Sequence, residues 1–119
     1  MEIVQEIEIR ESINEVRLVG RVSALPIERE MPSGDKVVEF RLIISRQLPN
    51  SSGSSGKAAK HEVDTLDIAA WSYKCRKSAL SLKPNMWIEV EGAVRRRFWQ
   101  APTGLASRWQ VEAHTLTRI

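Results

Sequence analysis

Cysteine, aromatic residues and long apolar runs are all scarce in this sequence, and each scarcity closes off a class of protein. One of the 119 residues is cysteine, which excludes an internal disulfide and a cysteine-built zinc site and fits a reducing compartment. No apolar run approaches the ~20 residues of a membrane span and no signal peptide opens the chain, so no membrane association and a cytoplasmic location are expected. The two histidines, His61 and His114, lie far apart in sequence with no cysteine or acid at metal-ligand spacing. Asp64 and Asp67, three apart on a strand, point to opposite faces. There is no glycine-rich phosphate loop, nucleophile motif or triad. Neither catalysis, nor a cofactor, nor a metal is expected.

What is present is positive charge, unevenly spread. The formal net charge is +3, but residues 1–15 hold Glu2, Glu6, Glu8, Glu11 and Glu15 against Arg10 alone. The remaining chain therefore carries 17 Lys and Arg against 10 Asp and Glu. A basic body behind an acidic arm points to a polyanionic partner. The stretch 86–99 focuses that expectation. Met86, Ile88, Val90, Gly92 and Val94 share one parity, with Trp87, Glu89, Glu91, Ala93 and Arg95 on the other, which is the period of a strand with one buried face. It runs on into Arg95, Arg96, Arg97, Phe98 and Trp99. Guanidinium groups attract phosphates and flat rings receive unpaired bases, a pairing suited to single-stranded nucleic acid.

The rest of the chain reads as strands with one helix. Residues 1–12 form an acidic N-terminal arm, read either as a short strand or flexible arm that offers a pairing edge to a second subunit or as a poorly ordered terminus. Val16, Leu18, Gly20 and Val22 make the core face of a first strand, with the glycine suggesting a bulge or tight bend. Pro26 and Met31 to Asp35 mark a turn, and Lys36 to Arg46 form the second strand with Val38, Phe40, Leu42 and Ile44 inward. A Gly- and Ser-rich loop at 49–61 bears Lys57 and Lys60 and reads either as a flap over a bound backbone or as a tolerated insertion. Residues 63–71 form a third strand with Leu66, Ile68 and Ala70 inward and Trp71 on the exposed parity. From Tyr73 the period changes to that of a short amphipathic helix, with Cys75, Ala79, Leu80 and Leu82 apolar, stopped by Pro84. A fifth strand follows at Arg108 to Arg118, with Trp109, Val111, Ala113 and Thr115 on one parity. Five strands with one short helix between the third and fourth suit an all-β, five-stranded Greek-key barrel over residues 13–119, an architecture that binds oligonucleotides on one face.

Asn14 to Arg21, Met31-Pro-Ser-Gly34, Phe40-Arg-Leu42, Glu91-Gly92, Val94 to Trp99 and Arg108-Trp109 before Val111-Glu112 together resemble the bacterial single-stranded DNA-binding protein (SSB) family. The resemblance implies an OB-fold that coats single-stranded DNA without sequence preference in replication, recombination or repair, as a homo-oligomeric tetramer or dimer. It places stacking rings at Trp99 and Trp71, while Leu48 and Thr65 occupy two other stacking positions. Arg95, Arg96, Arg97, Arg21, Arg46, Lys57 and Lys60 would then follow the backbone, and Trp109 is a further candidate contact. Trp87, beside Glu89 and Glu91, is expected at a subunit contact, as are Val19 and Ile43. The sequence stops at Arg118-Ile119, so the acidic tail through which replicative members recruit other proteins is not expected. The second reading is an OB-fold interaction module of the primosomal accessory kind, with a reduced DNA face.

Overall fold

The structure, a computed structural model of the chain, describes residues 7–46 and 62–119. The loop lysines Lys57 and Lys60, Leu48, His61 and the first six residues lie outside them. The elements run β1 (Val16–Val22), β2 (Ile27–Glu30), β3 (Lys36–Ser45), β4 (Val63–Ala70), α1 (Tyr73–Leu80), β5 (Trp87–Ala101) and β6 (Gly104–Arg118). Residues 7–15 have no regular structure and are exposed.

Five of the strands close on themselves. The order is β1-β5-β6-β4-β3, and β3 returns to β1 through Arg21↔Ile43 and Val22↔Leu42. All pairings are antiparallel except β4 with β6, which meet in parallel at Ile68↔Val111 and Ala69↔Glu112. This is the closed OB-fold barrel, with α1 between its third and fourth barrel strands. The core is what the alternation requires: Val22, Val38, Phe40, Leu42, Ile68, Ala70, Ile88, Val90, Val111 and Ala113 point inward, and Cys75, Ala79 and Leu82 cover them from α1. Ser72 caps the helix, its side chain accepting from the Cys75 amide at 3.2 Å.

The structure differs from the sequence reading in three places. The segment read as a turn holds β2, whose four side chains are all exposed. It pairs with the first half of β3, from Ile27↔Glu39 to Glu30↔Lys36. Backbone pairing at an edge, not burial, makes it a strand, so no apolar alternation marks it. Gly20, read as a bulge or tight bend, is no bulge: it sits in regular register opposite Ile88. Its missing side chain is instead required by closure, since a Cβ there would lie 2.4 Å from the Ile43 carbonyl oxygen. In β6 the inward parity breaks after Ala113. Glu91 pairs with Thr115 but Gly92 with Ala113, leaving His114 as a bulge. Thr115 is thereby turned out and Leu116 packs against the core.

Cys75 is buried and its thiol donates to the Ala113 carbonyl at 3.4 Å. Burial pushes the thiol pKa up, since the thiolate would lose its hydration. Native protein at pH 8 is therefore expected to react with a maleimide at least tenfold more slowly than protein unfolded in urea, as followed by mass spectrometry. The same raised pKa leaves stability unaffected below the ordinary thiol value of about 8.5 and lowers it as pH rises above that.

Candidate nucleic-acid interface

β5 and β6 are each 15 residues long, far longer than the barrel needs. β5 pairs with β1 only from Trp87 to Gly92, and β6 meets β4 only at Val111 and Glu112. From Arg95 to Gln110 the two strands therefore project as a two-stranded ribbon. At its root the Asn14 side chain replaces a strand, donating to the Val94 carbonyl at 2.7 Å and accepting from the Val94 amide at 2.9 Å. This satisfies a backbone edge that the barrel leaves open.

Directly opposed residues of an antiparallel pair share a face, so the register assigns every side chain on the ribbon. Arg95, Arg97 and Trp99 face outward with Gln110, Arg108 and Ala106. Arg96 and Phe98 lie on the other face with Trp109 and Ser107. That second face continues the parity of half-buried Val94 and core Val111. Trp109 was thus read on the same parity as the core residues, which is correct, but it lies past the end of the barrel and is 61% exposed.

The outward face meets the outer surfaces of β3 and β4 and the residue after β4, Trp71. The Arg97 guanidinium lies 5.4 Å from the centre of the Trp71 ring, and Arg108 lies 5.8 Å from that of Trp99. Two carboxylates knit the cluster together, each held by two arginines. Glu39 is 2.9 Å from Arg29 and 3.7 Å from Arg97. Asp67 is 3.3 Å from Arg41 and 3.8 Å from Arg108. Gln110, itself buried, donates to Glu39 at 2.8 Å, and Arg97 donates to the Met31 sulfur at 2.9 Å. Arg95 pairs with Glu112 at 3.0 Å. Five guanidinium groups against three carboxylates leave this face net positive, with a groove lined by Arg29, Glu39, Arg97, Trp99, Arg108 and Gln110, and with Trp71 beside it against Arg97. Trp71 is fixed from below, where Arg76 of α1 donates to its carbonyl.

Sequence reasoning named Trp71, Trp99, Arg95 and Arg97, and the fold brings all four to this face. It missed Arg29, Arg41 and Arg108 as members of the site, and Glu39 and Asp67 as the acids between them. Arg41 and Arg108 lie inside stretches that carry the family resemblance, but nothing local joins them to Arg29, Glu39 and Asp67; the residues meet through the β2–β3, β3–β4 and β5–β6 registers. Arg21 and Arg46 lie elsewhere. Arg21 donates to the Asn85 side chain at 3.2 Å on the outer side of β1. Arg46 holds Asp64 at 2.6 Å and Glu62 at 3.4 Å. The hydrogen bond to Asp64 raises the Arg46 pKa above its ordinary value and lowers that of Asp64. Trp87, 49% exposed, faces Arg21 across β1 and β5, with Val19 two residues along the same face. Thr65 is exposed on the outer face of β4, two residues before Asp67. Among the described residues no three His, Cys, Asp or Glu are grouped so as to hold a metal ion.

Residues 13–119, the whole barrel and its ribbon, match the family model described as "Single-strand binding protein family". The chain belongs to that family. It is 27% identical over 107 residues to the single-stranded DNA-binding protein of Aquifex aeolicus, covering 90% of this chain and 70% of that one. Against single-stranded DNA-binding protein A of Bacillus subtilis it is 29% identical over 92 residues, 77% of this chain and 50% of the relative. Single-stranded DNA-binding protein 1 of Chlorobaculum tepidum is 30% identical over 87 residues, covering 73% and 51%. The chain thus spans from about half to about seven-tenths of these relatives' lengths. The structure named "Plasmodium falciparum SSB complex with ssDNA" shares the fold, with a TM-score of 0.71 at 19% identity over 94% of this chain and 99% of that one. The match runs through both the barrel and the elongated β5–β6 pair.

Proposed function

We propose that this chain binds single-stranded DNA without sequence preference, in replication, recombination or repair. Bases stack on Trp71 and Trp99, and phosphates are held by Arg95, Arg97 and Arg108, with Arg41 and Arg29 behind them. The observation that carries this reading is the placement of two indoles on one net positive face, each with a guanidinium beside its ring. An indole offers every base the same flat face, so the affinity is indifferent to sequence, while arginine supplies the salt-dependent attraction to the backbone. Lys57 and Lys60, outside the described residues, would add to the same attraction, and so would Arg21 and Arg46 if the strand runs on around the barrel. Exposed Val19 and Trp87 and half-buried Ile43, set around Arg21 on β1, β3 and β5, suit contact between copies of the chain, as a dimer or tetramer.

The test is a fluorescence-anisotropy titration of labelled oligothymidine at low and moderate salt, with duplex of equal length as control. Single-strand binding that weakens as salt rises is the expected result. Equal affinity for duplex, or no binding at low salt, would refute the reading and favour an interaction module.

The shared carboxylates add a second expectation. Asp67 occupies Arg41 and Arg108 in the absence of DNA, so a phosphate must compete with it. Asp67→Asn keeps the shape and removes the charge. It is expected to tighten oligothymidine binding by up to about fivefold for each pair released and to steepen its salt dependence. Weaker binding in that variant would instead assign Asp67 to holding the guanidinium groups in place.

A further inference from the structure

The second face of the ribbon is not used by the groove. It presents Arg96 between two rings, 5.3 Å from the centre of Phe98 and 5.4 Å from that of Trp109. Both rings are more than half exposed, at 57% and 61%, and Leu105 toward the tip is 71% exposed. Arg96 also differs from its neighbours in the arginine run. Arg95 and Arg97 each have a carboxylate within 4 Å, as does Arg108 opposite. Among the described residues Arg96 has none, and its guanidinium donates only to the Ser107 hydroxyl, at 3.0 and 3.3 Å. A cation without an anion, set between two exposed aromatic rings, is chemically suited to a phosphodiester flanked by two bases.

We propose that this face is a second single-strand site, in which Arg96 takes a phosphate while Phe98 and Trp109 stack the neighbouring bases. The strand that occupies the groove at Trp99 reaches it by passing over the ribbon's edge. Among the described residues that edge is open: beyond Gly92 β5 has no strand partner other than β6, and β6 has none other than β5 on the tip side of Val111. Trp99 and Phe98 are successive residues on opposite faces, so the crossing spans one strand's width. The inference rests on the single-strand reading above and extends it from one face of the ribbon to both. The charge favours nucleic acid over a second copy of the chain as occupant, because burying an unpaired guanidinium in an apolar contact is costly whereas a phosphate neutralises it.

The test compares Phe98→Ala/Trp109→Ala with the unaltered chain on two oligothymidines, of roughly 4 and roughly 16 nucleotides, the ends of the range for one OB-fold. The short oligomer is filled by the groove and is expected to bind both proteins within twofold. The long one is expected to bind the variant at least tenfold more weakly, with a far-UV spectrum and urea midpoint like those of the parent. In a separate variant, Arg96→Gln, the slope of log affinity against log salt should fall by about one with the long oligomer and not with the short one. Unchanged affinity for the long oligomer would overturn the proposal. So would a fall in molecular mass by sedimentation in the double variant, which would make this face a contact between copies. Failure of the unaltered chain to bind either oligomer would instead remove the single-strand reading itself.

Discussion

Replacing Trp71 and Trp99 together by alanine is expected to weaken oligothymidine binding at least about 25-fold. Each base stacked on an aromatic ring contributes ~1 to 3 kcal/mol by alanine substitution. Two such losses at the lower bound amount to about 2 kcal/mol, and every 1.4 kcal/mol is a factor of ten. The two rings stand on one face, Trp71 beside Arg97 and Trp99 beside Arg108, the residue opposite Arg97 across the ribbon, so a strand crossing that face meets both. Trp71 is half-buried, and its loss costs some stability as well as affinity, so binding is measured at a temperature where circular dichroism shows the variant folded. Trp87→Ala, compared at an oligomeric state that sedimentation shows equal to the parent's, is the matched control: it removes an exposed indole outside the groove and is expected to leave affinity within twofold. Equal losses from Trp87→Ala and the double variant would mean that the groove is not where bases stack.

The largest expected effect on stability comes from one hydrogen atom's replacement by a methyl group at Gly92. A Cβ there would lie 1.8 Å from the Glu112 carbonyl oxygen, 2.9 Å from its carbon and 3.2 Å from the Ala113 Cα. All three are backbone atoms of the paired strand, and none can swing aside as a side-chain tip would. The contact falls where the register shifts around His114, so the tight approach and the bulge are one feature: β6 is pushed toward β5 as it bends around the barrel. Gly92→Ala must separate the two strands or shift their register, and it is expected to cost about 3 kcal/mol or more, at the upper end for overpacking. Urea unfolding followed by tryptophan emission would measure it as a lower midpoint. A midpoint within experimental error of the parent would show that the barrel closes here more loosely than the geometry requires.

The strands were legible because each has one face in the core, and a period of two survives in Val38-Phe40-Leu42 and Ile88-Val90 whatever lies around it. The helix was legible for the same reason, through Cys75, Ala79 and Leu82 and the proline beyond. What periodicity cannot show is a strand held by its backbone alone, and Ile27–Glu30 is one. Nor does it reveal a bulge: Thr115 and Leu116 exchange faces because His114 is unpaired, and both assignments are compatible with their chemistry. The site was half legible. Arg95, Arg97 and Trp99 form a compact string whose character is local, and Trp71 stands out as a tryptophan at the end of an alternating strand. Glu39, Asp67, Arg41 and Arg108 are ordinary surface residues until the registers bring Asp67 within 4 Å of Arg41 and Arg108, and Glu39 within 4 Å of Arg97. The run Arg95-Arg96-Arg97 also read as a single cationic unit, whereas the strand divides it between two faces with different neighbours.

Nuclear magnetic resonance of the four indole N–H groups, assigned by single substitution and followed as oligothymidine is added, tests the central claim most directly. Progressive shifts of the Trp71 and Trp99 signals with an unmoved Trp87 signal are the expected result. Saturable binding that leaves the Trp71 and Trp99 signals in place would contradict it, because no base could then be lying on either ring.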